Sequence, residues 1–325
     1  MRTSLLRGAL ATTLGLAGCE SVVPVDLPTH TPRLSVAYTL SNHAPPAGER
    51  DFFDSRSLYV STSQDVGNIN RLAGRADATV ELRDASGQVV EQFRPRGRGG
   101  YGGTDSTQGF YVPRRGYVGQ PGQRYTLRAS APSVEAVEAT LTLPAAPIIE
   151  AASYTLDPAQ PNYYYRGRLT FSIRDNAATT DYYLAYAQIL DAAGQPMGIV
   201  EQEYGARNDA ELAIKLTRLD LSQPGYLYQT LPISDAGRQG QRLNCSVDAY
   251  LSGNFSPIAG SAQPAFIEII VSSIPADTYE FYQSIQRFYD TEGNPFAEPA
   301  PLRSNVQGGY GLFGGAADAT LRIRL

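Results

Sequence analysis

From Leu34 onwards apolar residues recur at every second position: Leu34, Val36 and Tyr38, then Leu58 and Val60, Val80 and Leu82, Phe110 and Val112, and Tyr125 and Leu127. Successive side chains of an extended chain point to opposite faces, so this pattern predicts half-buried antiparallel strands over residues 33–145, packed as a small sandwich. Pro144 to Pro147 mark a boundary, after which alternation resumes at Leu169, Phe171 and Ile173 and stops where Asp175 and Asn176 open a turn. Tyr182 to Leu190 is apolar on both faces, the pattern of a central strand. Met197 to Val200, Leu212 to Leu216, Leu243 to Val247 and Phe266 to Val271 continue the β pattern, with Cys245 in register with core positions. One stretch changes period. Asp277 followed by Glu280 has capping-box spacing, Phe281, Ile285 and Phe288 share a helical face that Tyr279, Tyr282 and Tyr289 widen, and Gly293 stops it. The expectation is a helix over about 277–291. Leu321, Ile323 and Leu325 then alternate with Thr320, Arg322 and Arg324 as a final one-sided strand.

The fold class predicted is therefore mainly β, with a front domain over 33–145 and a second β-rich domain over 148–325 that carries one amphipathic helix. The front segment Gly119 to Leu127 resembles the turn and strand entry of immunoglobulin-like and transthyretin-like modules. Two long insertions interrupt the front domain, Ser41 to Ser57 and Arg94 to Gly103. Long loops in compact domains are commonly functional or disordered.

The start of the chain follows a different rule. Arg2 and Arg7 precede a short apolar stretch, Gly8 to Leu16, and then Leu16, Ala17, Gly18 and Cys19. A bilayer-spanning helix needs about 20 apolar residues, so residues 1–18 read as a secretory signal and not as a span. Its last four residues resemble a bacterial lipobox, which implies cleavage after Gly18 and acylation of Cys19, with palmitate-like chains as the membrane anchor. Each buried methylene contributes about 0.8 kcal/mol, so several chains hold a protein stably. Residues 19–32, punctuated by Pro24, Pro28 and Pro32, read as an extended tether.

Charge and residue types narrow the chemistry. A net charge of −5 argues against nucleic acid, which is bound through basic surface. With Cys19 acylated, Cys245 has no disulfide partner and reads as a small buried hydrophobe. The two histidines, His30 and His43, stand apart from cysteines and paired carboxylates, so histidine triads and zinc sites lack material. No serine elbow, metalloprotease motif or calcium-loop spacing occurs. The expectation is a protein without catalytic residues, metal or cofactor.

Binding residues are a separate matter. Arg96 and Arg98 with Tyr101 stand among glycines in the second insertion, where they could grip phosphate or carboxylate groups or form a solvated hairpin tip. Tyr163, Tyr164 and Tyr165 form the densest run of the 21 tyrosines, in a chain without tryptophan. Such rings suit interfaces and sugar stacking, and they also line sheets.

The end of the chain supplies a family resemblance. In order come Ile274 to Tyr279, the helix, Asn294, Pro295 and Phe296, then Ser304 and Asn305, and finally Gly309, Tyr310, Gly311, Leu312, Phe313 and Gly314. Together with the lipobox, tether and front half, this order resembles the Bacteroidota lipoprotein family called domain of unknown function 4249. Asn294, Pro295, Phe296, Ser304, Asn305, Gly309, Gly311 and Phe313 read as structural, and the glycine-rich segment 305–315 as a closing element. A small-ligand loop is the other reading of that segment, although no phosphate-binding strand, loop and helix surrounds it.

The resemblance implies an outer-membrane lipoprotein, on the cell surface or the periplasmic face, whose genes neighbour those of TonB-dependent receptors. The expected function is accessory or substrate-binding partner of such a receptor in nutrient uptake. A structural or adhesive surface protein is the second reading, and a glycan- or peptide-degrading enzyme the third.

Overall fold

The alternating segments other than Leu212 to Leu216 form strands, most of which bury one row of side chains more deeply than the other. The computed structural model describes residues 29–44, 58–65, 74–96, 109–157, 166–202, 216, 232–253, 263–291 and 300–325. Pro32–Ser63 with Asn70–Leu325 make one compact unit; Met1–Thr31 with Gln64–Ile69 make a second, in which 29–31 and 64–65 are described. In the larger unit the strands are β1 (Leu34–Ser41), β2 (Leu58–Thr62), β3 (Thr79–Arg83), β4 (Val89–Pro95), β5 (Phe110–Pro113), β6 (Arg124–Ser130) and β7 (Val137–Thr142). They continue as β8 (Ile148–Leu156), β9 (Arg166–Arg174), β10 (Tyr182–Leu190), β11 (Pro196–Gln202), β12 (Ile233–Ser234), β13 (Arg242–Gly253) and β14 (Phe266–Ile274). Helix α1 (Ala276–Thr291) and strand β15 (Tyr310–Arg324) complete the order. The chain is mainly β, with one helix among the described residues.

Strands pair in the order β7-β6-β3-β4-β5-β2-β1-β15-β14-β10-β11-β13-β9-β8, and β12 pairs with β10 off this path. The β1–β15 pair is parallel, so the first and last strands of the unit run side by side. Strand β15 changes partner along its length. Tyr310 to Ala316 pair with β1, whereas Ala317 to Arg324 pair antiparallel with β14. The same strand therefore walls three cores. Phe313 and Ala317 belong to the cluster of the front strands, Leu312 and Ala316 to the cluster beneath α1, and Ile323 packs on the cluster of β9 to β14. In the front cluster Phe313 stacks on Tyr38 at 6.0 Å between ring centres, and Tyr38 meets Phe93 edge-on at 5.0 Å.

The joint at β15 explains the closing segment. The Asn305 side chain donates to the Phe313 carbonyl and accepts the Phe313 N–H, both at 2.9 Å, so one amide does the work of a neighbouring strand residue. Gln307 exchanges two backbone bonds with Glu138 of β7. A Cβ on Gly309 would stand 2.2 Å from the Leu34 carbonyl oxygen, and one on Gly311 would stand 2.0 Å from that of Val36. Segment 305–315 is thus the place where β15 is pressed against β1. It opens a strand that is buried from Leu312 to Asp318 and ends, as the alternation predicts, one-sided, with Leu321 and Ile323 half-buried and Thr320, Arg322 and Arg324 exposed.

Several local expectations are corrected. In β5 the buried residue is Tyr111, with Phe110 and Val112 half-exposed, because the Tyr111 hydroxyl reaches inward to accept the Ala78 N–H and donate to the Arg75 carbonyl. Helix α1 begins at Ala276, where Tyr279 N–H already bonds the Pro275 carbonyl, so Asp277 sits in the first turn and not at the cap. Its charge favours that helix end through the dipole. Phe288 is 37% exposed; Phe281, Tyr282 and Ile285 make the buried face. Leu212 and Ile214 lie outside the described residues, and Leu216 forms a single parallel bridge with Ala185.

Two carboxylates brace the sheets. Glu91 of β4, buried, accepts the N–H groups of Gln92, Arg114, Arg115 and Tyr117 at 2.8 to 3.0 Å. Glu91→Ala strips these acceptors from a dry site and should destabilise the protein by about 3 kcal/mol, read as a lower urea midpoint at unchanged slope. Glu150 sits at the bulge in β8 and receives Arg174 at 2.6 Å and Arg242 at 2.5 Å, tying β8 to β9 and β13. The Arg174 bond and then the Arg242 bond hold its carboxyl below the usual carboxylate range.

Candidate functional site

The residues expected to bind are distributed, not gathered. Cys19, Arg98, Tyr101, Tyr163, Tyr164, Tyr165, Asn294, Pro295 and Phe296 lie outside the described residues. Arg96 is half-buried beyond β4, and its backbone N–H continues the ladder to the Phe110 carbonyl at 2.9 Å. Ser304 accepts the Val306 N–H through its hydroxyl at 3.2 Å, and Asn305, Gly309, Gly311 and Phe313 build the β1–β15 joint described above. Cys245 is 2% exposed, and burial pushes its thiol up to about 12, so it remains an inert, protonated core residue.

The densest chemistry in the described residues is elsewhere. Asp175 follows directly on β9, Asp181 directly precedes β10, and Asp235 directly follows β12. Because Ile233 and Ser234 pair with Tyr183 and Tyr182 at the start of β10, three loop-borne aspartates converge, and carboxylate oxygens from all three stand within 4.8 Å of one another. Asp175 is 7% and Asp235 0% exposed, with Asp181 half-exposed at the mouth.

Each carboxylate is held in place. Asp175 Oδ1 accepts the Tyr183 hydroxyl and Oδ2 the Gly240 N–H, both at 2.7 Å. Asp235 Oδ1 accepts the Asp181 N–H at 2.9 Å, the Asp235 N–H donates to the Asp181 carbonyl at 3.2 Å, and Asp181 Oδ2 accepts the Thr179 hydroxyl at 2.8 Å. Asp235 Oδ2 is left buried with no donor. Among the described residues no basic side chain forms an ion pair with any of the three.

The electrostatics follow from this arrangement. Burial pushes the Asp235 carboxyl up to about 6 against the Asp181 N–H, which favours the anion, and the neighbouring Asp175 carboxyl adds to the rise. The Tyr183 hydroxyl is raised well above its ordinary range, first by burial and then by its bond to Asp175, so it stays protonated as the donor. Such a group can share a proton or neutralise itself on a hard cation, and it contains no histidine, cysteine or serine.

The sequence pattern missed this cluster. Asp175 was legible only as a turn opener, and the interval from Asp181 to Asp235 has no motif spacing. Another buried carboxylate, Asp318 of β15, accepts Ser272 at 2.6 Å and Ser41 at 3.4 Å, and the Asn42 amide bonds its backbone on both sides, so it serves as a sheet joint.

No curated protein matches the sequence. The closing segment, with its Asn305 clamp and its two glycines against β1, lies within a match that runs over residues 52–322. On that match the chain belongs to the family described as domain of unknown function 4249 (DUF4249).

Proposed function

We propose that the protein is a non-catalytic lipoprotein of the outer membrane, anchored through Cys19, that serves as accessory or substrate-binding partner of a TonB-dependent receptor. The observation that carries this reading is the run Leu16, Ala17, Gly18 and Cys19 behind a short apolar stretch. A stretch of that length suits export and cleavage, and the thiol is the group there able to take a lipid. No helix of the described residues is long and apolar enough to cross a membrane.

The body suits a binding role more readily than a catalytic one. Its buried carboxylates include sheet joints such as Glu91 and Asp318 and the aspartate cluster, in which Asp175 and Asp235 are tied to neighbouring backbone and tyrosine groups by hydrogen bonds. We read the front strands as an immunoglobulin-like sandwich over 33–145, with the second β-rich domain from 148. Support comes from Tyr125 at the start of β6, whose hydroxyl accepts the N–H of Gln120 at 2.8 Å, the back-bond of a tyrosine corner. Strand β4 adds to this, pairing with β3 on one stretch and β5 on another as a strand does when it passes between layers.

The receptor partnership is tested by purification from membranes in mild detergent. Recovery of a β-barrel receptor in stoichiometric amount is the expected result. Recovery of the lipoprotein alone, at protein levels where the barrel is detectable, contradicts the partnership and favours a structural or adhesive surface role.

A further inference from the structure

We propose that Asp175, Asp181 and Asp235 form a binding site for a divalent calcium-type cation that staples the β9–β10 connection to β12. Proximity of acidic groups alone would not carry this. The second observation is the orphaned Oδ2 of Asp235, an oxygen of a fully buried side chain within the cluster that finds no donor while the carboxyls are ionised, a proton shared with Asp175 being the competing way to satisfy it. Leaving a buried acceptor unsatisfied costs about 1 to 3 kcal/mol, more when charged, and native interiors rarely keep one without a bound water or ion.

The donor chemistry selects the ion. Oxygens on one calcium lie about 2.3 to 2.6 Å from it, so two of them stand at most about 5 Å apart. The three carboxylates, within 4.8 Å of one another, meet that limit together. The group has no cysteine or histidine, which disfavours zinc, and its hydrogen bonds leave lone pairs free on every carboxylate. Magnesium asks for near-ideal octahedral geometry at shorter distance, which three unevenly exposed aspartates on separate loops suit less well. With no basic partner among the described residues, a double positive charge removes most of the like-charge repulsion. The half-exposed Asp181 gives the ion an entrance.

The test uses the full chain in mild detergent, stripped with a chelator and then titrated with calcium chloride or terbium chloride. Tyr183, bonded to Asp175, is a built-in antenna for terbium luminescence in a chain without tryptophan. Calcium at 100 times its Kd is expected to raise the melting temperature by about 5 °C, with magnesium less effective. Tyrosine-sensitised terbium emission should appear and be displaced by calcium. Both responses should be lost in Asp235→Asn and in Asp181→Asn, the second being a half-exposed position whose change leaves the fold intact. A chelated protein that ignores calcium, with stability responding to acidification alone, overturns the proposal in favour of a shared proton. Responses unchanged in both variants overturn it by placing the ion elsewhere.

Discussion

Gly311→Ala is expected to leave little folded protein. The residue has φ +111, a conformation closed to L side chains, and the added Cβ would meet the Val36 oxygen at 2.0 Å, its carbonyl carbon at 2.8 Å and its nitrogen at 3.0 Å. All three obstacles are backbone atoms of β1, fixed in a ladder that runs from Ser35 to Ser41, so no rotamer change relieves them. The substitution must either break the parallel pairing or push β15 away, and Phe313 then leaves its place against Tyr38. The cost is about 4 kcal/mol or more, a large part of the usual 5 to 15 kcal/mol of stability. A comparison isolates the cause. Gly87 also has positive φ, at +84, but a Cβ there meets nothing within 4 Å, so Gly87→Ala should cost only the backbone strain of about 1 kcal/mol. Urea titration of both variants decides it: equal losses would show that the β1–β15 contact gives way freely and is not the joint of the fold.

Cys19→Ala is expected to move the protein from the membrane to the soluble fraction almost completely, with the body unchanged. A lipid anchor of several chains contributes about 0.8 kcal/mol for each buried methylene, far beyond what a weakly acidic surface supplies on its own. Cys19 precedes β1 in sequence and lies outside the strands and helix that build the body, so the melting temperature of the variant is expected to equal that of the parent. Fractionation with a denaturation curve on each pool separates loss of anchor from loss of fold. A variant that stays with the membrane contradicts the anchoring.

The parts of this fold that could be read from the chain are those with one dry and one wet face, together with β10, whose apolar run on both faces marks a central strand. Leu34, Val36 and Tyr38, or Leu243, Cys245 and Val247, announce their strands because burial alternates residue by residue. Strand β8 went unread because its apolar signal is weak: Ile148 and Leu156 are exposed, and Ile149, Ala152 and Tyr154, which pack on the core, are only half-buried and are thrown out of strict alternation by the bulge at Glu150. In β5 a hydroxyl decided the orientation, since Tyr111 is drawn inward by the backbone groups of Arg75 and Ala78. The parallel meeting of β1 and β15 joins the two ends of the unit and has no local signature, although Gly309 and Gly311 mark where something must come close. The aspartate site is less legible still. Each residue has an ordinary turn role, and only the pairing of β12 with β10 makes neighbours of them.

The anchored β body is tested most directly by the mass of the intact mature protein isolated from its own membrane. The account predicts loss of residues 1–18 and an added mass on Cys19 equal to a glyceride with its acyl chains. A protein that keeps Met1, or one that begins after residue 18 with an unmodified Cys19 thiol, would contradict it.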